Sequence, residues 1–324
     1  MDKNTLQLNA FLNEFPQKNV LLIGDTIVDH YVYGTLLGTS AETPTIVAKE
    51  MEQTFTLGGA FLVCRNLLSL NGKVQFITLI GEDRESDLIR HFSHPNLTML
   101  PFTDDGRKVT VKRRYWVDGY KLLQFDQLDD RPLEPSVGED ILREVERRLP
   151  RTHSLIISDY RHGLLTKELI HQLIGLAKKA NKPIFVDSQV SQKASNHMLY
   201  QGASLICLNR KEALCVDPDM GNEVDFEKLF HRLKASHIVV KDGEKGSIAS
   251  IGGKIYRTPA YPVNVVDTCG AGDAFLAALS LGDLERPEIS LSLANLWAGL
   301  STAQKGPHPP NYATFLEQAC YVRT

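Results

Sequence analysis

From about residue 137 onward, short apolar runs alternate with helical patterns, and this alternation constrains the fold more than any other feature of the chain. Strands are predicted at 155–158, 184–187, 205–208 and 238–241, and helices at 138–148, 167–180, 226–234, 270–281 and 290–304. The first strand, at 20–24, is a continuous apolar run closed by glycine, as in a strand covered on both faces. A strand at 74–80 and helices at 61–70 and 84–92 extend the same reading towards the N-terminus. Strands separated by single helices build βαβ units and a mostly parallel sheet.

Two stretches break the pattern. Residues 30–38 are rich in Tyr, Val, Thr and Gly, and 45–50 alternate loosely, both signs of exposed β structure. Residues 98–126 are β-rich again, and Asp118-Gly119 between 109–117 and 120–125 is a hairpin signal. The expected architecture is a single α/β domain over residues 1–324, with excursions near 31–50 and 98–126 pairing as a lid. A chain of this length buries roughly three quarters of its unfolded surface and needs no disulfide or metal staple. Its five cysteines include no C-x-x-C pair. Cys64, Cys207, Cys215 and Cys320 read as buried small residues.

Residues 6–15 fit a short amphipathic helix ending near Pro16 better than a secretory apolar segment. No run of about 18 apolar residues predicts a membrane span, so neither membrane nor secretion is expected and a cytoplasmic location is. With 36 Lys+Arg against 39 Asp+Glu, the formal net charge is -3. A nucleic-acid binder carries a basic surplus, so nucleic acid is not an expected partner.

Chemistry concentrates in Val266-Asp267-Thr268-Cys269-Gly270-Ala271-Gly272-Asp273, which opens a helix of small residues. Gly270, Ala271 and Gly272 offer backbone N–H groups where orphan donors and the helix dipole hold an anion. Asp273, in the first turn, can take a proton from a hydroxyl while those amides hold the developing charge. On spacing alone the same residues also fit an ordinary helix cap. Lys112 and Arg114 alternate onto one strand face, so they can clamp a phosphate or form a solvated strand. Neither G-x-x-x-x-G-K-[ST] nor H-E-x-x-H occurs, and no G-x-G-x-x-G follows the first strand. Those absences argue against Walker-A, dinucleotide-binding and zincin chemistry.

The segment Asp267-Thr268-Cys269-Gly270-Ala271-Gly272-Asp273 resembles the C-terminal signature of the ribokinase or PfkB family of sugar kinases, usually D-T-x-G-A-G-D. The resemblance implies a ribokinase-like α/β fold, a mostly parallel sheet flanked by helices with a small β-sheet lid. It also implies Asp273 as catalytic base and Gly270–Gly272 as the anion hole, with ATP and Mg²⁺ as cofactors. Asn209-Arg210-Lys211-Glu212 matches the family's N-x-x-E, implying that Asn209 and Glu212 organise the phosphates. Glu212 would reach magnesium through water, since that ion keeps several waters. Residues 241–246 lie where the family carries an adenine-side T-x-G-x-x-G, so Lys241, Gly243 and Gly246 are implied to bind ATP. Asn295 and Lys305-Gly306 are implied to flank the adenine. On the sugar side, Asp29, closing Gly24-Asp25-Thr26-Ile27-Val28-Asp29, is implied to bind hydroxyls, and Gly58-Gly59 to let sugar lie against backbone.

Within the family, the resemblance is strongest to the heptose-7-phosphate kinases, including the kinase half of bifunctional heptose kinase/adenylyltransferases, over residues 18–306. It runs through Ser40-Ala41-Glu42-Thr43-Pro44 for S-P-E-A-P, Lys112-Arg113-Arg114 for K-x-R, and Ser158-Asp159-Tyr160 with Gly163 for S-D-Y-x-x-G. Lys112, Arg114 and Asp159 thereby join the implied substrate-binding set. The implied reaction is ATP-dependent phosphorylation of D-glycero-D-manno-heptose 7-phosphate to the 1,7-bisphosphate, in lipopolysaccharide precursor synthesis. No adenylyltransferase half is expected in this chain, and a homodimer through the lid is, because exposed β edges need covering.

Two departures touch the substrate and phosphate region. Leu62 stands where the family has a sugar-binding Asn, and Asp187-Ser188-Gln189 replaces D-P-K, losing a cation. The alternatives are a kinase for a fructose- or ribose-type sugar, and a non-catalytic sugar- or nucleotide-binding regulator on the same fold. Cys269, inside the loop, reads either as a packing residue or as a thiol whose pKa the helix N-terminus lowers.

Overall fold

The computed structural model describes residues 12–15, 18–190 and 194–319. Most of the helix expected at 6–15, and Cys320, lie outside these. In chain order the strands are β1 (Asn19–Gly24), β2 (Thr26–Thr39), β3 (Ile46–Gly59), β4 (Lys73–Ile80), β5 (Leu97–Thr103), β6 (Thr110–Val117) and β7 (Tyr120–Gln127). Then follow β8 (Ser154–Asp159), β9 (Ile184–Ser188), β10 (Leu205–Asn209), β11 (His237–Lys241), β12 (Ser247–Ile251) and β13 (Lys254–Thr258). The helices are α1 (Ala60–Ser69), α2 (Ser86–Arg90), α3 (Pro135–Arg148), α4 (Lys167–Lys179), α5 (Arg210–Val216), α6 (Phe226–Leu233), α7 (Ala271–Leu281), α8 (Pro287–Thr302) and α9 (Tyr312–Ala319).

The continuous apolar strands sit where continuous burial is possible. Val20 and Leu22 of β1 enter one core, with α1, α7, α8 and α9, while Leu21 and Ile23 enter the other, with α3, α4 and α6. The nine-stranded sheet runs β13–β12–β11–β10–β9–β8–β1–β4–β5. It is parallel from β11 to β5, and β12 and β13 are antiparallel. From β1 the chain builds outward to β4 and β5, then returns to β8 on the other side. Growth reverses at β1, and in open α/β sheets ligands bind in the crevice beyond the strand C-termini at such a switch point.

A four-stranded sheet, β3–β2–β6–β7, stands apart from the large one. Asp118 and Gly119 take φ of 48° and 84°, the left-handed pair that a tight β6–β7 hairpin needs, as Asp-Gly predicted. The stretch expected at 98–126 divides between sheets. Its first part, β5, pairs in parallel with β4 through Val74–Leu97 and belongs to the large sheet. The small sheet therefore draws on 26–59 and 110–127, and β3 runs to Gly59 because Thr56 and Leu57 pair with Asp29 and Val28.

Helix α7 positions the chemistry. Its residues Ala274 to Leu281 are all buried, as in a helix enclosed on every side. Beside it, the Trp297 indole N–H of α8 donates to Asn66 Oδ1 of α1 at 2.7 Å. That packing fixes the start of α7 at the mouth of the crevice.

Candidate active site

Four strand ends and one helix start meet in this crevice. At the end of β10 the Asn209 side chain accepts from the Glu212 N–H at 2.9 Å, and Glu212 Oε2 accepts from the Asn209 N–H at 2.7 Å. The N-x-x-E segment is thus a capping box. Burial, and then the nearby Asp187 carboxylate, pushes the Glu212 pKa up to about 7. Lys241, ending β11, donates from Nζ to Asp187 Oδ2 near the end of β9. Burial pulls the Lys241 pKa down, but Asp187, Cys207 and Glu212 outweigh it, so the net shift is upward.

The loop before α7 is held by Asp267, whose carboxylate accepts from the N–H groups of Cys269 at 2.9 Å and Gly306 at 3.1 Å. Gly270 turns the chain into α7 with a φ of 81°, and a β-carbon there would lie 2.5 Å from Leu62 Cδ2. The start of α7, Asn209, Glu212, Lys241 and Asn295 border one cavity of about 330 Å³, together with Gly243 and Gly246.

Asp273 stands at its wall, half-buried, and accepts the Tyr160 O–H on Oδ1 at 2.6 Å. Burial raises its pKa to about 7; the Tyr160 hydrogen bond opposes the rise and Asp187 adds to it. A carboxyl so poised is protonated in acid and becomes a base near neutrality. A Tyr160→Phe variant removes the opposing hydrogen bond. Its kcat/KM against pH is expected to show the acid limb displaced to higher pH than wild type, and an unmoved limb contradicts this assignment.

The small sheet contributes no residue to that cavity but comes close to it, since its Asp29 acts electrostatically on Asp273. Asp29 Oδ1 accepts from Arg114 at 2.5 Å, and the Arg114 guanidinium lies 5.3 Å from the Tyr31 ring centre. Burial raises the Asp29 pKa against the pull of Arg114 and Lys112. Arg113, on the opposite strand face, pairs with Glu85 at 2.8 Å instead. A β-carbon at Gly58 would come against Asp29 Oδ2, so a larger residue there would displace the Asp29 carboxylate. Asp29 and Asp273 both act on Cys269, so the two halves converge at that residue.

Several expected residues fall elsewhere. Asp159 is 2% exposed and accepts from Ser188, Asn196 and Tyr200 at 2.7–2.9 Å, which saturates its Oδ2. It lies instead on a larger cavity of about 900 Å³ beside α3 and α4, which holds none of the other expected site residues. Gly59 is a backbone hinge with φ 62°, its hydrogen packed against Asp25 O, rather than an open face for a ligand. Lys305 is near the small sheet, with Nζ 5.9 Å from the Tyr33 ring centre. Lys241 shares the cavity with Gly243 and Gly246, but its ammonium pairs with Asp187 and lies beside Gly272.

Cys215 is exposed rather than buried. Cys269 is also exposed, so it is not a packing residue, and partial loss of water and then Asp267 push its thiol up to about 11, the opposite of an activated thiol. The functional geometry missed by sequence reasoning is Tyr160 and Asp187. Both sit inside quoted segments, but their partners lie 113 and 54 residues away.

Residues 144–313 match the family model described as pfkB family carbohydrate kinase. The bifunctional protein HldE of Paramagnetospirillum magneticum is 30% identical over 298 residues, 89% of this chain and 60% of that protein. HldE of Caulobacter vibrioides is 31% identical over 304 residues, 90% of this chain and 61% of that protein. The chain thus spans about three fifths of the length of these relatives. Arabidopsis thaliana ribokinase complexed with ribose and ATP superposes with a TM-score of 0.73 at 20% identity, covering 93% of this chain and 98% of its own. Phosphofructokinase-2 from Escherichia coli in complex with potassium gives a TM-score of 0.73 at 20% identity, covering 94% and 99%. These two likenesses give the fold, which is ribokinase-like. With the family model covering over half of its length, the chain belongs to the pfkB family of carbohydrate kinases.

Proposed function

We propose that this protein transfers the γ-phosphoryl group of ATP to a hydroxyl of a phosphorylated sugar. The carrying observation is that Asp273, with a pKa near 7, stands in the first turn of α7 directly after the Gly270–Gly272 loop. The acceptor hydroxyl oxygen forms a bond to phosphorus, the bond to the bridging β–γ oxygen breaks, ADP leaves, and the hydroxyl proton goes to Asp273. Amides at the helix start hold the charge on the transferring group, in a reaction governed by positioning and electrostatics.

Asn209, Glu212, Gly243, Gly246 and Asn295 form the nucleotide side in this reading. Mg²⁺ fits the donor set, since Asp187, Glu212 and Asp273 border the cavity with a single lysine, which pairs with Asp187. Glu212 and Asn209 would hold it through water. When bound it would spread the charge of the nucleotide phosphates.

The small sheet acts as the lid, excluding water while Asp29 and Gly58 meet sugar hydroxyls and Lys112 and Arg114 meet the substrate's own phosphate. D-glycero-D-manno-heptose 7-phosphate, giving the 1,7-bisphosphate, is the acceptor we favour. Its support is the S-A-E-T-P and K-R-R segments and the HldE relatives. Leu62, 3% exposed and packed on Gly270, favours a second reading in which the acceptor is another sugar phosphate. ADP release from Mg-ATP across the heptose phosphate, fructose 1- and 6-phosphates, fructose and ribose separates the two. Turnover on no phosphorylated sugar in the panel would sink both.

A second copy of the chain is the partner we assign to the small sheet. Leu36, Leu37, Ile46, Val47, Met51 and Phe125 are exposed on it, more apolar surface than scattered single residues account for. Sedimentation is expected to show a dimer, with Phe125→Glu shifted towards monomer. A wild-type monomer at tens of micromolar would overturn the assignment.

A further inference from the structure

Lys241 brings its ammonium to the start of α7 on the wall of the cavity. Its ammonium is within 3.2 Å of where a Gly272 β-carbon would stand, at the start of α7. A helix N-terminus carries a partial positive charge, and a cation beside it is repelled. The Lys241 side chain is also 15% exposed, so its charge has lost most of its water. Its ion pair with Asp187, with Cys207 and Glu212 beyond, offsets that loss and keeps the ammonium charged. An anion lying between them would be held by the cation and the helix start together.

Among the described residues Lys241 is the only cationic side chain on this cavity. Gln189, where the resemblance described above implies a lysine, borders the same cavity from β9's side. The two departures from the family pattern, a lysine gained at 241 and one lost at 189, therefore face one space.

We propose that Lys241 is the phosphate-side cation of this site, contacting the transferring γ-phosphoryl group from β11 in place of a lysine at 189. This rests on the kinase reading and deepens it. Asp187 then acts as a positioning residue that aims the ammonium at the space beyond Gly272. The role differs from an adenine-side one in what it touches, which is the last phosphate and not the base or ribose.

Equilibrium binding separates the possibilities without an acceptor. Affinities for ADP and for a non-hydrolysable ATP analogue, both with Mg²⁺, are measured on the wild type, Lys241→Met, Lys241→Arg and the double variant Lys241→Thr/Gln189→Lys. Lys241→Met is expected to weaken the analogue by about tenfold or more while changing ADP by less than about threefold. Lys241→Arg and the double variant are expected to keep most of the preference for the triphosphate. Equal weakening of both nucleotides in Lys241→Met, or no weakening, overturns the assignment, as does a folded double variant that behaves like Lys241→Met. Should Lys241→Met not fold, the double variant decides, because it restores a cation from the other strand. A wild type that binds neither nucleotide contradicts the kinase reading itself, and the role of Lys241 falls with it.

Discussion

Asp273→Asn is expected to lower turnover by about 10²–10⁴-fold, the usual reach of a positioned general base. Asparagine keeps the size of the side chain and its ability to accept the Tyr160 O–H, so the loss isolates the proton-accepting role. The same change should not destabilise the fold at alkaline pH. Burial first, and Asp187 next among the groups that raise it, lift the Asp273 pKa to about 7 when folded. In the unfolded chain an aspartate titrates near about 3.9. The folded state therefore binds the extra proton, and stability falls as pH rises between these two values. At pH 8 the wild type carries that cost in full and the Asn variant does not. The variant is expected to melt at least as high as wild type at pH 8 while being nearly inactive. A variant that melts far lower, or that keeps more than about a tenth of wild-type kcat, contradicts the role.

Gly270→Val is the second large effect. The backbone at 270 has φ 81°, a conformation that a β-branched residue resists strongly. A side chain there would also meet Leu62 Cδ2 at 2.5 Å. The loop must shift to accept it, and with it the N–H groups that start α7. Kcat/KM is expected to fall by about 10²–10³-fold, comparable to losing an oxyanion-hole donor. Adding Leu62→Ala removes the collision but not the φ penalty. The pair is therefore expected to regain part of the melting temperature and little of the rate. Full recovery of rate would mean that packing against Leu62, not the amide geometry, governs the loop.

The strands of the large sheet were legible because their apolar runs are continuous, and both faces of β1, β8, β9, β10 and β11 are in fact covered. The Asp118-Gly119 turn was legible because only residues tolerant of positive φ fit there. Which sheet a β-rich stretch joins is not a local property. Leu97–Thr103 looks like its neighbours in sequence, and its pairing with β4 decides the matter. The β12–β13 hairpin went unread although Gly252-Gly253, with φ of 59° and 76°, carried a hairpin signal.

The site divides in the same way. The residues of D-T-C-G-A-G-D and N-R-K-E are close in sequence and close in space, so their motifs could be recognised whole. Asp159 could not be judged from S-D-Y, because its orientation is set by Ser188, Asn196 and Tyr200. Lys241 was read by its place in a loop motif, whereas its side chain turns to Asp187, 54 residues earlier. A motif names the residues, but the partner that aims each side chain is supplied by the fold.

The most direct test of phosphoryl transfer at this crevice follows the product itself. Wild type and Asp273→Asn are incubated with Mg-ATP and D-glycero-D-manno-heptose 7-phosphate, and ³¹P NMR tracks every phosphorus. The expected result is a second phosphate ester on the sugar, appearing in step with ADP in the wild type and suppressed by two orders of magnitude or more, about the lower reach of general-base loss, in the variant. Inorganic phosphate appearing in step with ADP instead, or an ester formed equally well by both proteins, would contradict transfer governed by Asp273.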